Sequence, residues 1–279
     1  MRRKINAGKI LDTLVTYTIL LAVAFVFFFP CLWLILASFS KSGSIYSFDG
    51  FFPAQYSTAS FVKLFTDTTM YNYPKWFLNT LLIAAGSCAL GTFLTILTAY
   101  TMSRFTFRMR KPMMKTTMVL GMFPSFMGMT VVYLLMTQFG LINHLGGLVL
   151  IYASGAPMGY LTQKGFFDTI PKSIDEAAKI DGATNFQIFI RINLPLSKPI
   201  IVYTALTSFT WPWSDFILPK LLLKEKNLYT VAVGLMSLDE TEFARFAAGS
   251  VFIAVPIVIL YFCLVKNMVN GISEGAVKG

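Results

Sequence analysis

Between Asp12 and Lys41, and again between Lys75 and Arg104, the chain carries no charged side chain, and each run exceeds the roughly 20 residues a helix needs to cross a bilayer. Hydrocarbon offers backbone amides no water to bond, so an uncharged run of this length satisfies them internally, as a helix. The chain is 56% hydrophobic and 13% charged, and the apolar residues are gathered into such runs rather than dispersed as in a soluble domain. These features predict an all-α membrane protein of about six spans.

The net charge of +10 would suggest a nucleic-acid partner in a soluble protein, but here its placement decides. Basic residues cluster at Arg2, Arg3, Lys4 and Lys9, around Arg104–Lys115, and from Lys164 to Lys198. This positive-inside pattern predicts a multi-pass protein of the cell membrane, surrounded by lipid, with both termini and the 165–198 loop in the cytoplasm. No nucleic-acid role is expected. Cys31, Cys88 and Cys263 lie in apolar runs without paired spacing or clustered histidine, which argues against a disulfide framework or a metal site. The first span is too long and too aromatic for a signal peptide, so its retention is expected.

The expected organisation is a cytoplasmic lead, 1–11, a six-span region, 12–270, and a small flexible cytoplasmic tail, 271–279. Span one, about Thr13–Phe39, holds Pro30, where a kink is predicted. A polar outside segment, Ser40–Pro74, leads to span two, Trp76–Ser103, in which Gly86 and Gly91 permit close helix contact. The uncharged stretch Thr116–Gln163 is too long for one crossing and is divided at Gly140–Gly147, where His144 is read as a solvated turn residue. Pro124 with Gly121 and Gly128 in span three, and Gly155, Pro157 and Gly159 in span four, predict helices broken where they line a cavity. Span five is expected from about Pro199 to Leu222 and span six over Phe246–Val265.

The polar exception is Ser173–Pro199. Ser173 with Glu176 has the spacing of a capping box, Gly182 supplies a left-handed stop, and Thr184 with Gln187 repeats the box. A second helix carrying Phe186, Phe189 and Ile190 is expected to end at Pro195. Such a helix-turn-helix either caps the membrane bundle or docks a partner protein. The order Glu176-Ala177-Ala178, Asp181-Gly182-Ala183, Ile192 and Leu194-Pro195 resembles the EAA motif of ABC-importer permease subunits. With Ile170-Pro171, the Trp-x-x-Asp-Phe of span five, Tyr229–Gly234 and the ending Asn270–Gly279, residues 70–279 resemble carbohydrate-importer permeases, MalG-type subunits of maltose or maltodextrin importers among them.

The resemblance implies a type I ABC-importer permease fold and a transported maltodextrin-type sugar. It also implies a homologous second permease, two ATPase subunits gripping the 165–198 loop, and an external sugar-binding protein. In that frame Ser173, Glu176, Ala177, Ala178, Asp181, Gly182, Ala183, Phe186, Ile192, Leu194 and Pro195 form the ATPase-coupling set. Trp211, Trp213 and Asp215, with Met122 and Phe123, are candidates for the sugar path. A lone carboxylate such as Asp215 in a span is a functional candidate by its cost alone, unless it already reaches the outer interface. The outside loop Leu223–Phe243, with Tyr229, Thr230, Val231, Gly234 and Met236 at an apolar tip, is the candidate contact with the binding protein. The chain contains no Gly-x-x-x-x-Gly-Lys-Ser/Thr loop for nucleotide phosphates and no zinc-protease or serine-elbow motif. It is therefore expected to be no enzyme and to bind no cofactor, with ATP and Mg held on the ATPase subunits. Raffinose-type sugars or glycerol phosphate are alternative cargoes, and a secondary transporter or channel a remoter alternative.

Overall fold

The first uncharged run becomes α1 (Ala7–Ser38), which continues through Pro30. Leu21 is 69% and Phe27 73% exposed on its surface, apolar side chains that suit lipid. The computed structural model describes residues 7–44, 48–49, 51–155 and 159–276. They divide into two compact units, Met1–Tyr71 with Leu238–Phe252, and Asn72–Ser237 with Ile253–Gly279.

In the first unit, α1 leads to a short antiparallel pair, β1 (Phe48–Asp49) and β2 (Phe52–Pro53), and then to α2 (Ala59–Thr66). One cation organises the polar part. The Arg245 side chain is 2% exposed; it bonds the Asp67 carboxylate at 3.0 Å and donates to the carbonyls of Lys63 and Asp67 at 2.7 and 2.9 Å. Tyr71 lies under the guanidinium, 5.3 Å from its ring centroid, and donates its hydroxyl to Asp239 at 2.8 Å. A buried guanidinium needs such partners, and here they give the segment that follows α1 a defined end. The hydrogen bond from Arg245 holds the Asp67 carboxyl below its usual value of 3.8.

The second unit is built on α3 (Tyr73–Arg104), which starts at Asn72, whose side chain accepts the Lys75 amide. Its buried residues, among them Trp76, Thr80, Ile83, Ala84, Ser87, Gly91, Thr95, Ala99 and Ser103, recur every three or four positions and mark one continuous packed face. A Cβ on Gly86 would stand 3.1 Å from Val149, so the expected close glycine contact is realised.

Next come α4 (Arg110–Gly121) and α5 (Ser125–Gln138), bent by 107° at a break that includes Pro124. Proline lacks the amide to continue α4 and pushes the preceding residue out of helical geometry. His144 is exposed in the following turn, as expected, beside Asn143 at φ 62°. Then α6 (Leu145–Gly155) and α7 (Tyr160–Thr169) meet at 45°; Pro157 lies outside the described residues.

Among the described residues three helices are long and apolar enough to cross a membrane, Asp12–Ser38, Tyr73–Arg104 and Glu240–Val265, and the two bent pairs bring the number to five if each is one span. The stretch expected as span five is a 17-residue helix, Lys198–Ser214, broken at Asp215 from a six-residue helix, Ile217–Leu222. The final helix runs from Phe243 to Ala276, so the tail expected to be flexible from residue 271 is helical that far.

Because the folded-state pKa of Asp67 is depressed, its contribution to stability is present above the ordinary carboxylate pKa and is lost as pH falls through the lower folded value. We therefore expect the wild-type protein to keep a Tm advantage over Asp67→Asn down to about pH 4 and to lose it progressively below. A pH series of thermal unfolding in detergent, run on both proteins, measures this.

Candidate functional site

The polar elbow begins with α8 (Lys172–Ile180). The sequence placed its cap at Ser173 with Glu176, and the structure corrects this. Pro171, at φ −58° and ψ 130°, is the N-cap, Ser173 lies inside the first turn, and Glu176 is exposed without a capping role. Proline arrives with φ preset, and the helix starts before the serine can cap it. At the other end Gly182 has φ +82°. Its amide bonds the Lys179 carbonyl at 3.0 Å and the Ala183 amide bonds Ala178 at 2.9 Å, the paired closure of a Schellman motif.

Thr184 then caps α9 (Asn185–Ile188) as expected. Its hydroxyl accepts from the Gln187 amide at 3.3 Å, and the Gln187 side chain accepts from the Thr184 amide at 2.8 Å. Pro195 does not end this helix. A π-helical turn, Phe189–Asn193, follows, and Pro195 sits in the first turn of α10 (Leu194–Leu196), where a missing amide costs nothing. The chain passes on into α11 (Lys198–Ser214).

The elbow divides its apolar residues sharply. Ile180 is 88% and Phe186 72% exposed, whereas Ile188 and Phe189 are buried. Phe189 joins Tyr100, Phe167, Ile170 and Met102 in one cluster, with Tyr100 and Phe189 rings 4.5 Å apart, and Leu194 packs at its edge. Ile180 and Phe186 thus stand exposed beside a frame closed by hydrogen bonds. Beside them, Asp181, Gly182, Ala183, Gln187, Arg191 and Ile192 line a groove of about 290 Å³. Glu176 and Ala177 are exposed near it and Ala178 is half-buried.

What fixes the elbow was not foreseen from the sequence. Arg104, last residue of α3, pairs through Nε with Asp175 at 3.1 Å, and their side chains are only 5% and 12% exposed. Asn193, in the π turn, donates to Asp175 at 2.8 Å and accepts from Arg104 at 3.0 Å. Three elements are thus closed into one ring of polar contacts. The signal in the sequence was the lone arginine that ends an uncharged run, and an aspartate next to the Glu-Ala-Ala triplet.

The opposite end of α3 holds the loop expected to carry an apolar tip. Trp76 donates to the Lys226 carbonyl at 2.7 Å, Asn79 to those of Asn227 and Tyr229 at 2.8 and 3.1 Å, and Thr80 accepts from the Val231 amide at 2.8 Å. A 3-10 turn, Lys226–Leu228, and α12 and α13 (Ile217–Leu222 and Val231–Leu235) frame this loop. Tyr229, Thr230, Val231 and Gly234 are buried and only Met236, 60% exposed, faces outward, which corrects the protruding tip. The reason is that the loop's apolar residues find α3 first. A Cβ on Gly234 would lie 2.1 Å from the Trp76 ring.

The candidate path residues differ in exposure. Trp213 is buried, its ring 5.1 Å from Phe77, while Trp211 is 62% exposed. Met122 and Phe123, 83% and 63% exposed, stand at the break between α4 and α5. Asp215 accepts the Tyr152 hydroxyl at 2.9 Å and the Leu218 amide at 3.3 Å, so its carboxylate holds the break between α11 and α12.

A polytopic helical membrane protein with a hydrogen-bonded polar elbow between its helices is the class these features define. The chain belongs to the family of binding-protein-dependent transport system inner membrane components, matched over residues 91–276. It is 36% identical to a maltodextrin transport system permease protein, MalD, of Streptococcus pneumoniae, over the whole of both chains. It is 34% identical, again over both whole chains, to a galactooligosaccharide transport system permease, GanQ, of Bacillus subtilis. A chain from the crystal structure of a bacterial ABC transporter that imports the polysaccharide alginate superposes with TM-score 0.77 at 19% identity, covering 95% of this chain and 99% of that one, and so shares the fold.

Three substitutions probe the elbow. Gly182→Val should cost about 1–3 kcal/mol, because a β-branched residue resists positive φ, and Thr184→Ala about 0.5–2 kcal/mol through the lost cap. Faster amide hydrogen exchange over residues 172–190, with the remaining helices unchanged, is the expected readout. Asp175→Ala leaves a buried guanidinium unpaired and should destabilise the folded chain by about 3–5 kcal/mol. Thermal unfolding in detergent checks it.

Proposed function

We propose that this chain is the permease subunit of an ATP-driven importer of oligosaccharides of the maltodextrin type. It works beside a homologous second permease, two ATPase subunits that hold ATP and Mg, and an external sugar-binding protein. Both termini and the elbow at 172–197 face the cytoplasm, following the basic clusters that flank the spans. The observation that carries the reading is the exposure of Ile180 and Phe186 on a frame closed by Gly182 and by the Thr184–Gln187 box. An ATPase cleft that takes these side chains buries them, with Glu176, Ala177, Ala178, Asp181 and Ala183 at the rim and Ile192, Leu194 and Pro195 at the base. Closure of the ATPase pair then moves the elbow as one piece, since the Schellman closure and the capping box leave it little internal freedom.

The helix breaks support the transport side. Backbone interrupted at membrane depth is tolerated where it lines a protein-enclosed or watery passage, and α4–α5, α6–α7 and α11–α12 are each interrupted. Trp211, Met122 and Phe123, exposed beside such breaks, are candidate walls of the passage, and Asp215 keeps one break open while Trp213 packs behind it. On the outer side, Met236 is the exposed large apolar residue of the 226–236 loop, free to meet a binding protein. The galactooligosaccharide relative, nearly as similar as the maltodextrin one, supports a second reading in which the cargo is a galactooligosaccharide.

Phe186→Asp should abolish co-purification of the ATPase subunits with the tagged chain and leave the second permease bound. Retention of the ATPase would refute the docking role. In the wild-type complex, maltotriose is expected to stimulate ATP hydrolysis and galactotriose to have no effect. The reverse result would select the galactoside reading.

A further inference from the structure

We propose that α3 is a rigid strut linking the outer loop 226–236 to the elbow 172–197, with Arg104 the positioning residue at its inner end and Trp76, Asn79 and Thr80 its fastening at the outer end. The inference rests on the transport reading above but goes beyond it, because it names the route by which events on the two sides of the membrane are joined.

The two ends of α3 are fastened by different chemistry. At the inner end a buried guanidinium holds Asp175 in the first turn of α8 and Asn193 in the π turn, so α8 cannot shift against α3 without breaking a desolvated charge pair. At the outer end three side chains spaced as Trp76, Asn79 and Thr80, one helix face, bond four backbone groups of residues 226–231, and Gly234 lies against the Trp76 ring too closely for any Cβ. From Trp76 to Arg104 the helix covers about 42 Å at ~1.5 Å per residue, the depth of a bilayer with its headgroups.

The alternative route is the chain itself, and it is interrupted. From the loop back to the elbow the backbone passes through α12 and α11, which part at Asp215, and through the π turn Phe189–Asn193. The helix α3 has no break over its 32 residues and is buried along one face throughout. Its aligned hydrogen bonds and close packing resist bending and stretching, whereas a broken helix gives at its breaks. A displacement imposed at the loop by a loaded binding protein therefore reaches α8 along α3 before it reaches it through the backbone. Ser103, one residue from Arg104, donates to Asp168 at 2.6 Å, so α7, which leads into the elbow, is fastened to the same end of the strut.

The test uses the complete transport complex, purified through this chain and reconstituted in liposomes, with the cognate binding protein and maltotriose as probe. The measured quantity is the stimulation ratio, ATP hydrolysis with loaded binding protein divided by hydrolysis without it. Arg104→Lys keeps the charge but loses the fork that spans Asp175 and Asn193, and Asn79→Leu removes the outer fastening; each should lower the ratio at least tenfold. The double variant should be no worse than the more impaired single, because one strut released at either end is released. Unchanged ratios, or effects that multiply in the double variant, would overturn the proposal. If Arg104→Lys prevents assembly, Asn79→Leu and Thr80→Val decide alone, and full stimulation in both overturns it. A wild-type complex that maltotriose and galactotriose both fail to stimulate, or Phe186→Asp that retains its ATPase, counts against the transport reading rather than against the strut.

Discussion

A guanidinium buried at the end of a long apolar helix has to be paired, and the pairing of Arg104 sets the position of everything at that end of the second unit. Water is largely excluded from its side chain, so its charge is met by Asp175, and that carboxylate also accepts from Asn193. These partners lie in α8 and in the π turn, the two arms of the elbow. Remove the arginine and nothing else in the ring would fix the angle between the elbow and α3. The aromatic cluster of Tyr100, Phe167 and Phe189 packs beneath the ring and keeps it dry.

The elbow combines rigidity with exposure. A surface helix pair would ordinarily turn its large apolar residues inward, and Ile188 and Phe189 obey that rule. Ile180 and Phe186 do not, and they sit at the Gly182 turn, where both helices are closed by hydrogen bonds rather than by packing. That division suits a partner surface: the capping bonds set the shape, and the apolar side chains are left for the partner to bury. The membrane part is built the other way round, with α4–α5, α6–α7 and α11–α12 interrupted while α3 is continuous.

Much of this was legible in the residue order, and the places where it was not share a cause. The Thr184–Gln187 box, the Gly182 stop and the Gly86 contact were readable because each depends on residues within a turn of one another or on the absence of a side chain. The Ser173–Glu176 box had the right spacing and did not form, because Pro171 started the helix earlier. Pro195 was read as a stop, but the π turn before it let the helix resume. The loop at 226–236 looked like a free apolar tip because its partner, Trp76, lies 150 residues away.

By itself the sequence determined that the chain crosses a membrane as helices, where those helices meet polar turns, and that one such turn carries the marks of a docking elbow. These follow from local rules: uncharged length, cap spacing and a glycine that alone tolerates positive φ. Only the tertiary structure decided that Arg104 is held by Asp175 and Asn193, that Asp215 serves a helix break, and that four of five loop residues are buried. Those outcomes depend on which distant side chains meet once the helices pack, and the free energy of burying a charge or an apolar ring belongs to that meeting, not to any one stretch of chain.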